Sequence, residues 1–241
     1  MGEKVDFFIK YNIHLDFKEF FTEEYITKIE NFLDNLEGEK IEFVPKREDI
    51  FKVFNVSISS IHILIMGMDP YRQKNVATGL AFEVLYDNWD HKEINSSLKN
   101  ILKLLYYSYE NKIKNIDYIR DDINQNKFLI NKPDKLFKLW KESGVFLINS
   151  ALTTILNKSG SHLQFWNEII ENLITYISTK NPNIIYFLWG KNAQNFEKQI
   201  KFGTIYKSNH PAICGNLSNK NDFMNSKCFF HTKDLINWRG L

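Results

Sequence analysis

The feature that most constrains the fold is an almost unbroken apolar run, Ile61–Met66, which stops at a glycine. Such a run is typical of a parallel strand that is covered on both faces. Gly67 lets the backbone turn, and Pro70 has no N–H group to donate to a neighbouring strand. A single carboxylate, Asp69, lies between them. The segment predicts a buried strand whose carboxyl end presents an acid, although Asp before Pro also occurs in ordinary turns.

Three later segments have a similar form. Gly144–Asn149 is apolar up to a terminal amide, and Asn183–Gly190 ends in Trp-Gly. A shorter run, Thr204–Lys207, leads into Ser-Asn-His-Pro, which contains His210. Segments with apolar residues at helical spacing separate these runs. The alternation predicts an α/β fold with a central four-stranded, mainly parallel sheet that is flanked by helices on both faces.

The ends of these strands carry the residues that could perform chemistry. Because parallel strands point their carboxyl ends at one edge of a sheet, we expect Asp69, Asn149 and His210 to meet in one crevice, beside the turn after Trp189. An acid, an amide and an imidazole together suit a site that reads a planar ring and supports developing charge. Taken singly, His210 also fits a structural histidine, and Asn149 also fits a turn residue.

Composition and length limit the class of protein. The 241 residues, 44% of them hydrophobic, can bury a core, and no repeat or linker divides them. We therefore predict a single domain over residues 1–241, with an enlarged surface insert of helix and loop around 106–135. Residues 1–15 carry little structural signal.

The remaining composition bears on location and partners. No apolar run approaches membrane-spanning length, and the first residues lack a signal-peptide layout, so we expect a soluble, cytoplasmic protein with no membrane partner. The two cysteines have no closely spaced histidine partners, which predicts no metal site. The net charge of +2 means that any contacts with phosphates must be local.

Several segments, in this order, resemble the motifs of family 1 uracil-DNA glycosylase over nearly the whole chain. Gly67–Arg72 resembles the water-activating loop, and Gly79–Val84 carries a phenylalanine at the position of the stacking ring. Gly144–Thr153 resembles the uracil-reading strand, Gly160–His162 a backbone-contact loop, and His210-Pro211 the start of the minor-groove loop. The resemblance implies a monofunctional DNA glycosylase that flips a base out of DNA and leaves an abasic site, with no cofactor or metal.

The resemblance also implies roles for single residues. Asp69 would stabilise the cationic sugar and position water, and His210 would donate a hydrogen bond to the departing base. Phe82 would stack on the base, Asn149 would pair with its Watson–Crick edge, and Tyr71 would exclude a methyl group at ring carbon 5. Met68 is a further expected base-binding residue, and the expected DNA contacts are Ser97, Ser159, Ser161, His162, Pro211, Ala212, Ile213 and Cys214.

The sequence departs from the family pattern around the pocket rim. Met68 and Arg72 replace the usual Gln and His. Ala212–Cys214 replaces Ser-Pro-Leu, whose leucine enters the duplex, so Ile213 or Leu217 is the candidate wedge here.

These departures leave three hypotheses. The first is removal of uracil in base-excision repair. The second is a glycosylase of the same fold for a modified pyrimidine, such as modified cytosine in phage DNA, because an amide can present either its acceptor or its donors. The third is a catalytically silent DNA-binding or replication scaffold. In each case we expect a monomer with DNA as its partner, and a proteinaceous glycosylase inhibitor as a further partner.

Overall fold

The structure is a computed structural model that describes residues 2–241. Within that range the helices are α1 (Gly2–Lys10), α2 (Glu23–Gly38), α3 (Ser96–Glu110), α4 (Ile116–Asn124), α5 (Pro133–Glu142), α6 (Leu163–Lys180), α7 (Lys191–Gln194) and α8 (Cys228–Thr232). The strands are β1 (Phe43–Val44), β2 (Ile63–Gly67), β3 (Val145–Asn149), β4 (Thr154–Ile155), β5 (Ile185–Trp189) and β6 (Thr204–Ser208). Short 3-10 turns connect several of these elements.

Four strands form one sheet in the order β3-β2-β5-β6, and every neighbouring pair is parallel. The predicted four-stranded α/β sheet is thereby confirmed. Every residue of β2 and β3 is buried, as expected for strands that are covered on both faces. The edge strand β6 is partly exposed, and β1 and β4 form a separate antiparallel pair.

The sheet order fixes where a site can form. The chain passes from β2 to β3 on one side of β2 and then crosses to β5 on its other side. The carboxyl ends of β2 and β5 therefore flank a topological switch point, where loops diverge and leave a crevice. In the register of the sheet, Gly67 pairs with Asn149, and Trp189 pairs with Ser208.

Helix α3 starts beside this edge of the sheet. Asn95 caps it, because the Asn95 side-chain oxygen accepts the Leu98 N–H at 2.9 Å. The helix buries an apolar stripe that includes Leu98, Ile101 and Leu105, which orients its first turn. Further along, Asn100 Nδ2 donates to the Pro211 carbonyl at 2.7 Å and so joins α3 to the segment after His210.

Residues 106–135, predicted as a surface insert, also contribute to the core. They contain the end of α3, all of α4 and the start of α5. Tyr106, Ile119 and Phe128 are buried, and the rings of Tyr106 and Phe128 lie 4.9 Å apart. Over residues 2–241, no helix combines the length and the apolar character that a membrane span requires.

Candidate active site

A crevice of about 570 Å³ lies at the carboxyl edge of the sheet. Its walls come from the segments that follow the parallel strands and include Asp69 after β2, Asn149 at the end of β3, and His210 after β6. Phe82 and Tyr71 complete the wall. The structure thus brings together the acid, the amide, the imidazole and the two aromatic side chains that the sequence analysis singled out.

Asp69 is held in place by the loop that precedes α6. Ser159 Oγ lies 3.0 Å from Asp69 Oδ1 and 2.8 Å from Oδ2, and the Gly160 N–H donates to Oδ2 at 2.6 Å. The segment before Asp69 is fixed as well, because Ser150 Oγ donates to the Met68 carbonyl at 2.7 Å. The carboxylate is therefore preorganised at the pocket wall, and Ser159 orients it directly.

Asn149 occupies its position because the facing residue of β2 is a glycine. A Cβ atom at position 67 would lie 2.2 Å from Asn149 Oδ1, so only Gly67 leaves room for the amide. Asn149 is 6% exposed, and within residues 2–241 its side chain has no hydrogen-bond partner. Because buried amides are normally satisfied, this one is available to a ligand in the pocket.

Phe82 forms an aromatic wall in a strained conformation. Its φ of 65° is in the left-handed region, which bulky residues rarely adopt. The Ala81 N–H donates to the Leu147 carbonyl at 3.1 Å, and the ring of Trp189 meets the Phe82 ring edge-on at 5.5 Å. Strain that the surroundings hold in place in this way is common at ligand sites.

Tyr71 contributes a neutral, bulky side chain. Burial raises its pKa to about 12, against the opposing effect of the nearby Asn95 side chain. The phenol therefore stays protonated at any physiological pH, and its main effect in the pocket is to exclude volume.

His210 presents one defined hydrogen-bond donor. Its Nδ1 accepts the Ala212 N–H at 3.1 Å, which places the ring proton on Nε2. Burial lowers the pKa of His210, so the imidazole is neutral at pH 7. Gly190 permits this arrangement, since a Cβ atom there would lie 2.9 Å from the His210 Cβ. The ring lies 6.3 Å from that of Phe82.

The other predicted contact residues have different surroundings. Ser97, in the first turn of the 15-residue helix α3, lies at the pocket wall, where free N–H groups and the helix dipole favour an anion. Ser161 Oγ accepts the Ile155 N–H at 2.7 Å and so shapes the loop that holds Asp69. His162 is buried, with Nδ1 2.9 Å from Thr153 Oγ1, and its side chain does not line the crevice.

The segment after His210 is more exposed. Pro211 is buried, Ala212 is exposed and Cys214 is partly buried. Ile213 is 73% exposed and Leu217 is 48% exposed. These two apolar side chains are therefore largely exposed to solvent on the segment that follows His210.

The sequence analysis did not single out every residue that lines the crevice, and Asn192 is one that it missed. Asn192 lines the crevice, and its Oδ1 lies 2.8 Å from Ser150 Oγ. The available signal was its position just after the Trp-Gly turn that ends β5, because Asp69, Asn149 and His210 were chosen for similar positions at the ends of strands. Within residues 2–241, no group of three or more His, Cys, Asp or Glu side chains is arranged to hold a metal ion.

Comparison with known proteins places this geometry in a family. The model of the Uracil DNA glycosylase superfamily matches residues 55–230, which is more than half of the chain. The chain belongs to the uracil-DNA glycosylase superfamily. The family that the motifs predicted is thereby confirmed.

Named relatives of this superfamily member cover most of its length. The uracil-DNA glycosylase of Mycoplasmopsis pulmonis (strain UAB CTIP) is 34% identical over 220 residues, which are 86% of this chain and 87% of the relative. The uracil-DNA glycosylase of Buchnera aphidicola subsp. Acyrthosiphon pisum (strain APS) is 33% identical over 224 residues, with 89% and 92% covered.

Solved structures of the superfamily share the fold. A UNG crystal structure from Nitratifractor salsuginis superposes with a TM-score of 0.73 at 19% identity, covering 98% of this chain and 97% of that one. A mimivirus UNG variant in complex with UGI gives a TM-score of 0.66 at 26% identity, covering 84% and 72%.

Proposed function

We propose that this glycosylase-superfamily protein hydrolyses the N-glycosidic bond of uracil in DNA and leaves an abasic site, as in base-excision repair. The observation that carries the proposal is the convergence of a fixed carboxylate, an unpaired amide and a neutral imidazole in one crevice beside an aromatic ring. The names of the relatives, all uracil-DNA glycosylases, support the choice of base.

The crevice suits a base that has left the DNA stack. The sugar bond of a stacked nucleotide is out of reach, so an enzyme that cuts it must extrude the nucleotide into a pocket. A base inserted here meets the Phe82 ring on one face and the Asn149 amide along its edge. The amide supplies one acceptor and two donor hydrogens, enough to pair with the Watson–Crick edge of uracil.

The two remaining polar groups act on opposite charges. As the bond breaks, positive charge develops on the sugar, and the Asp69 carboxylate stabilises it and orients the attacking water. Negative charge develops on the departing base, and the Nε2–H of His210 donates a hydrogen bond to a base oxygen. A neutral imidazole does this without transferring its proton. The Asp69 carboxylate and the His210 imidazole are both held in position by hydrogen bonds before the reaction, and electrostatic stabilisation is most effective from groups that are preorganised in this way.

Tyr71 supports uracil over larger pyrimidines. Its side chain occupies pocket volume beside the proposed base position, so a methyl or larger group at ring carbon 5 would collide with it. Rotation of the Asn149 amide could still accept a cytosine-like edge. The modified-pyrimidine hypothesis therefore depends on displacement of Tyr71.

Two partner proposals accompany the activity. We propose a monomer, because one chain supplies every wall of the crevice. We also propose that a protein inhibitor of the UGI type blocks the site, since a mimivirus UNG variant, 26% identical, has a structure in complex with UGI. Size-exclusion chromatography and titration of UGI into a uracil-excision assay test these two statements.

Asp69→Asn separates an enzyme from a silent scaffold. The change removes the charge but keeps the shape, so we expect uracil excision to fall by about 100-fold or more while DNA affinity is retained. The assay is alkali cleavage of a uracil-containing oligonucleotide, with fluorescence anisotropy for binding. Wild-type protein that binds DNA and never excises uracil would support the scaffold instead.

A further inference from the structure

Glu83 is a buried acid that directly follows Phe82, the aromatic wall of the crevice. The Glu83 side chain is 4% exposed, and it does not itself line the crevice. Lys52, at the start of the 3-10 turn Lys52–Phe54, donates from Nζ to Glu83 Oε2 at 3.2 Å. Within residues 2–241 this is the one hydrogen bond that the carboxylate accepts. None of the catalytic steps proposed above uses this ion pair.

A second lysine fixes the turn that carries Lys52. Lys141, in the last turn of α5, donates from Nζ to the Lys52 carbonyl at 2.8 Å. Burial, together with the charge of Lys52, lowers the pKa of Lys141 to about 8 against the opposing effect of Glu83. The Lys141 amine is therefore still mainly protonated at pH 7 and keeps its donor hydrogens. Helix α5, the turn and Glu83 thus form one connected chain of hydrogen bonds.

This ion pair is a poor way to stabilise the fold. A buried carboxylate loses its hydration, and a single lysine whose side chain is 38% exposed returns only part of that loss. An apolar side chain of similar size at position 83 would avoid the penalty. What the pair adds is a fixed position, because a charged hydrogen bond is short-ranged and directional and so restricts the groups that it joins.

The backbone at Phe82 needs such restriction on both sides. Its φ of 65° is a strained conformation that persists only where the surroundings impose it. Before Phe82, the Ala81 N–H donates to the Leu147 carbonyl of β3 at 3.1 Å. After Phe82, the Glu83 side chain is tied to Lys52. The strained residue therefore lies between two anchors, one on the sheet and one on the 3-10 turn.

We propose that Glu83 is a positioning residue that, through its ion pair with Lys52, holds the Phe82 ring in the place where it stacks on the extruded base. The inference rests on the proposed glycosylase function, in which Phe82 is the stacking ring. Without the pair, the strained φ of Phe82 relaxes and the ring leaves that place. A base that has lost its stacking surface is no longer aligned with Asp69, and misalignment of that kind slows the reaction.

Glu83→Leu tests the proposal, because leucine nearly keeps the volume of the side chain but removes the ion pair. We expect the single-turnover rate of uracil excision to fall by about tenfold, with urea unfolding to check that the variant is folded. Glu83→Gln keeps an oxygen that accepts from Lys52, so its rate should recover to within about threefold of wild type. If Glu83→Leu does not fold, Lys52→Met removes the same pair from its more exposed end and carries the test.

The sharpest measurement repeats the change in a protein that lacks the ring. If Glu83 acts through Phe82, Glu83→Leu in a Phe82→Ala background should change the single-turnover rate by less than about twofold. A residue that merely supports the fold would instead cost about tenfold in both backgrounds.

Glu42→Ala is the matched control. The Glu42 carboxylate also pairs with a lysine, since its Oε1 lies 3.4 Å from Lys74 Nζ, but these side chains are 65% and 68% exposed. Because an exposed pair fixes its groups weakly, the rate should stay within about twofold of wild type.

The outcomes distinguish this inference from the proposed function. Wild-type protein that does not excise uracil would refute the function, and the inference with it. An active wild type whose folded Glu83→Leu variant keeps full activity would overturn the inference alone. Equal losses from Glu83→Leu with and without the Phe82 ring would do the same, since Glu83 would then act independently of Phe82.

Discussion

Adding one methyl group to Gly67 is predicted to disable the site although none of its polar side chains is replaced. In Gly67→Ala the new Cβ atom would lie 2.2 Å from Asn149 Oδ1 and 3.1 Å from the Ala81 Cβ. Both strands are fully buried and paired at this point, so the backbone cannot retreat. The Asn149 amide has to move by roughly 1 Å before the contact becomes an ordinary one.

The expected effect follows from that displacement. A shift of about 1 Å in a positioning group can cost about 100-fold in rate, so kcat/KM for uracil excision should fall by about two orders of magnitude. Overpacking at a filled site costs typically about 1–3 kcal/mol in the free energy of unfolding, which a domain of this size can tolerate. Steady-state kinetics on a uracil oligonucleotide and urea unfolding measure the two effects separately.

Gly38→Ala is the matched control. Gly38 ends α2, and a Cβ atom there meets nothing within 4 Å, so the same substitution should leave activity and stability close to wild type. Activity within about twofold of wild type in a folded Gly67→Ala variant would refute the argument that steric room at this glycine positions Asn149.

Three further changes test other parts of the site. Among residues 2–241, Ser159→Ala leaves the Asp69 carboxylate with the Gly160 N–H as its one remaining donor, so kcat should fall by about tenfold with KM little changed, as steady-state kinetics would show. Tyr71→Ala should raise excision of thymine by about 10- to 100-fold, measured on a thymine oligonucleotide. Burial lowers the pKa of both His162 and His210, so the unfolded chain binds protons first as pH falls below about 6.5. The free energy of unfolding, measured with urea at pH 7.5 and pH 5.5, should therefore be lower at the acidic pH.

The strands and the crevice could be predicted because their signals are local. A buried parallel strand needs a continuous apolar run, and the rule that strand ends share one edge then brings Asp69, Asn149 and His210 together without knowledge of any contact. The structure places all three around one crevice. Their catalytic roles stay predictions until the variants are measured.

The parts that the sequence did not reveal depend on distant partners. Residues 1–15 carried little signal, yet α1 buries Phe7, whose ring lies 5.5 Å from Phe21 and 5.2 Å from Phe51. A few aromatic residues close together in the sequence do not predict a buried helix unless the distant residues that pack against them are known. The contacts of Asp222 were not predictable for a related reason, because the N–H groups of Gly215 and Asn216 reach its carboxylate only once the intervening segment has folded.

The most direct test of the proposed function is a glycosylase assay on four matched oligonucleotides, which carry a single uracil, thymine, cytosine or phage-type modified cytosine. Alkali cleavage of the product reports each abasic site. We predict cleavage at uracil alone. Cleavage at the modified cytosine without cleavage at uracil, or DNA binding without cleavage at any base, would contradict the proposed function.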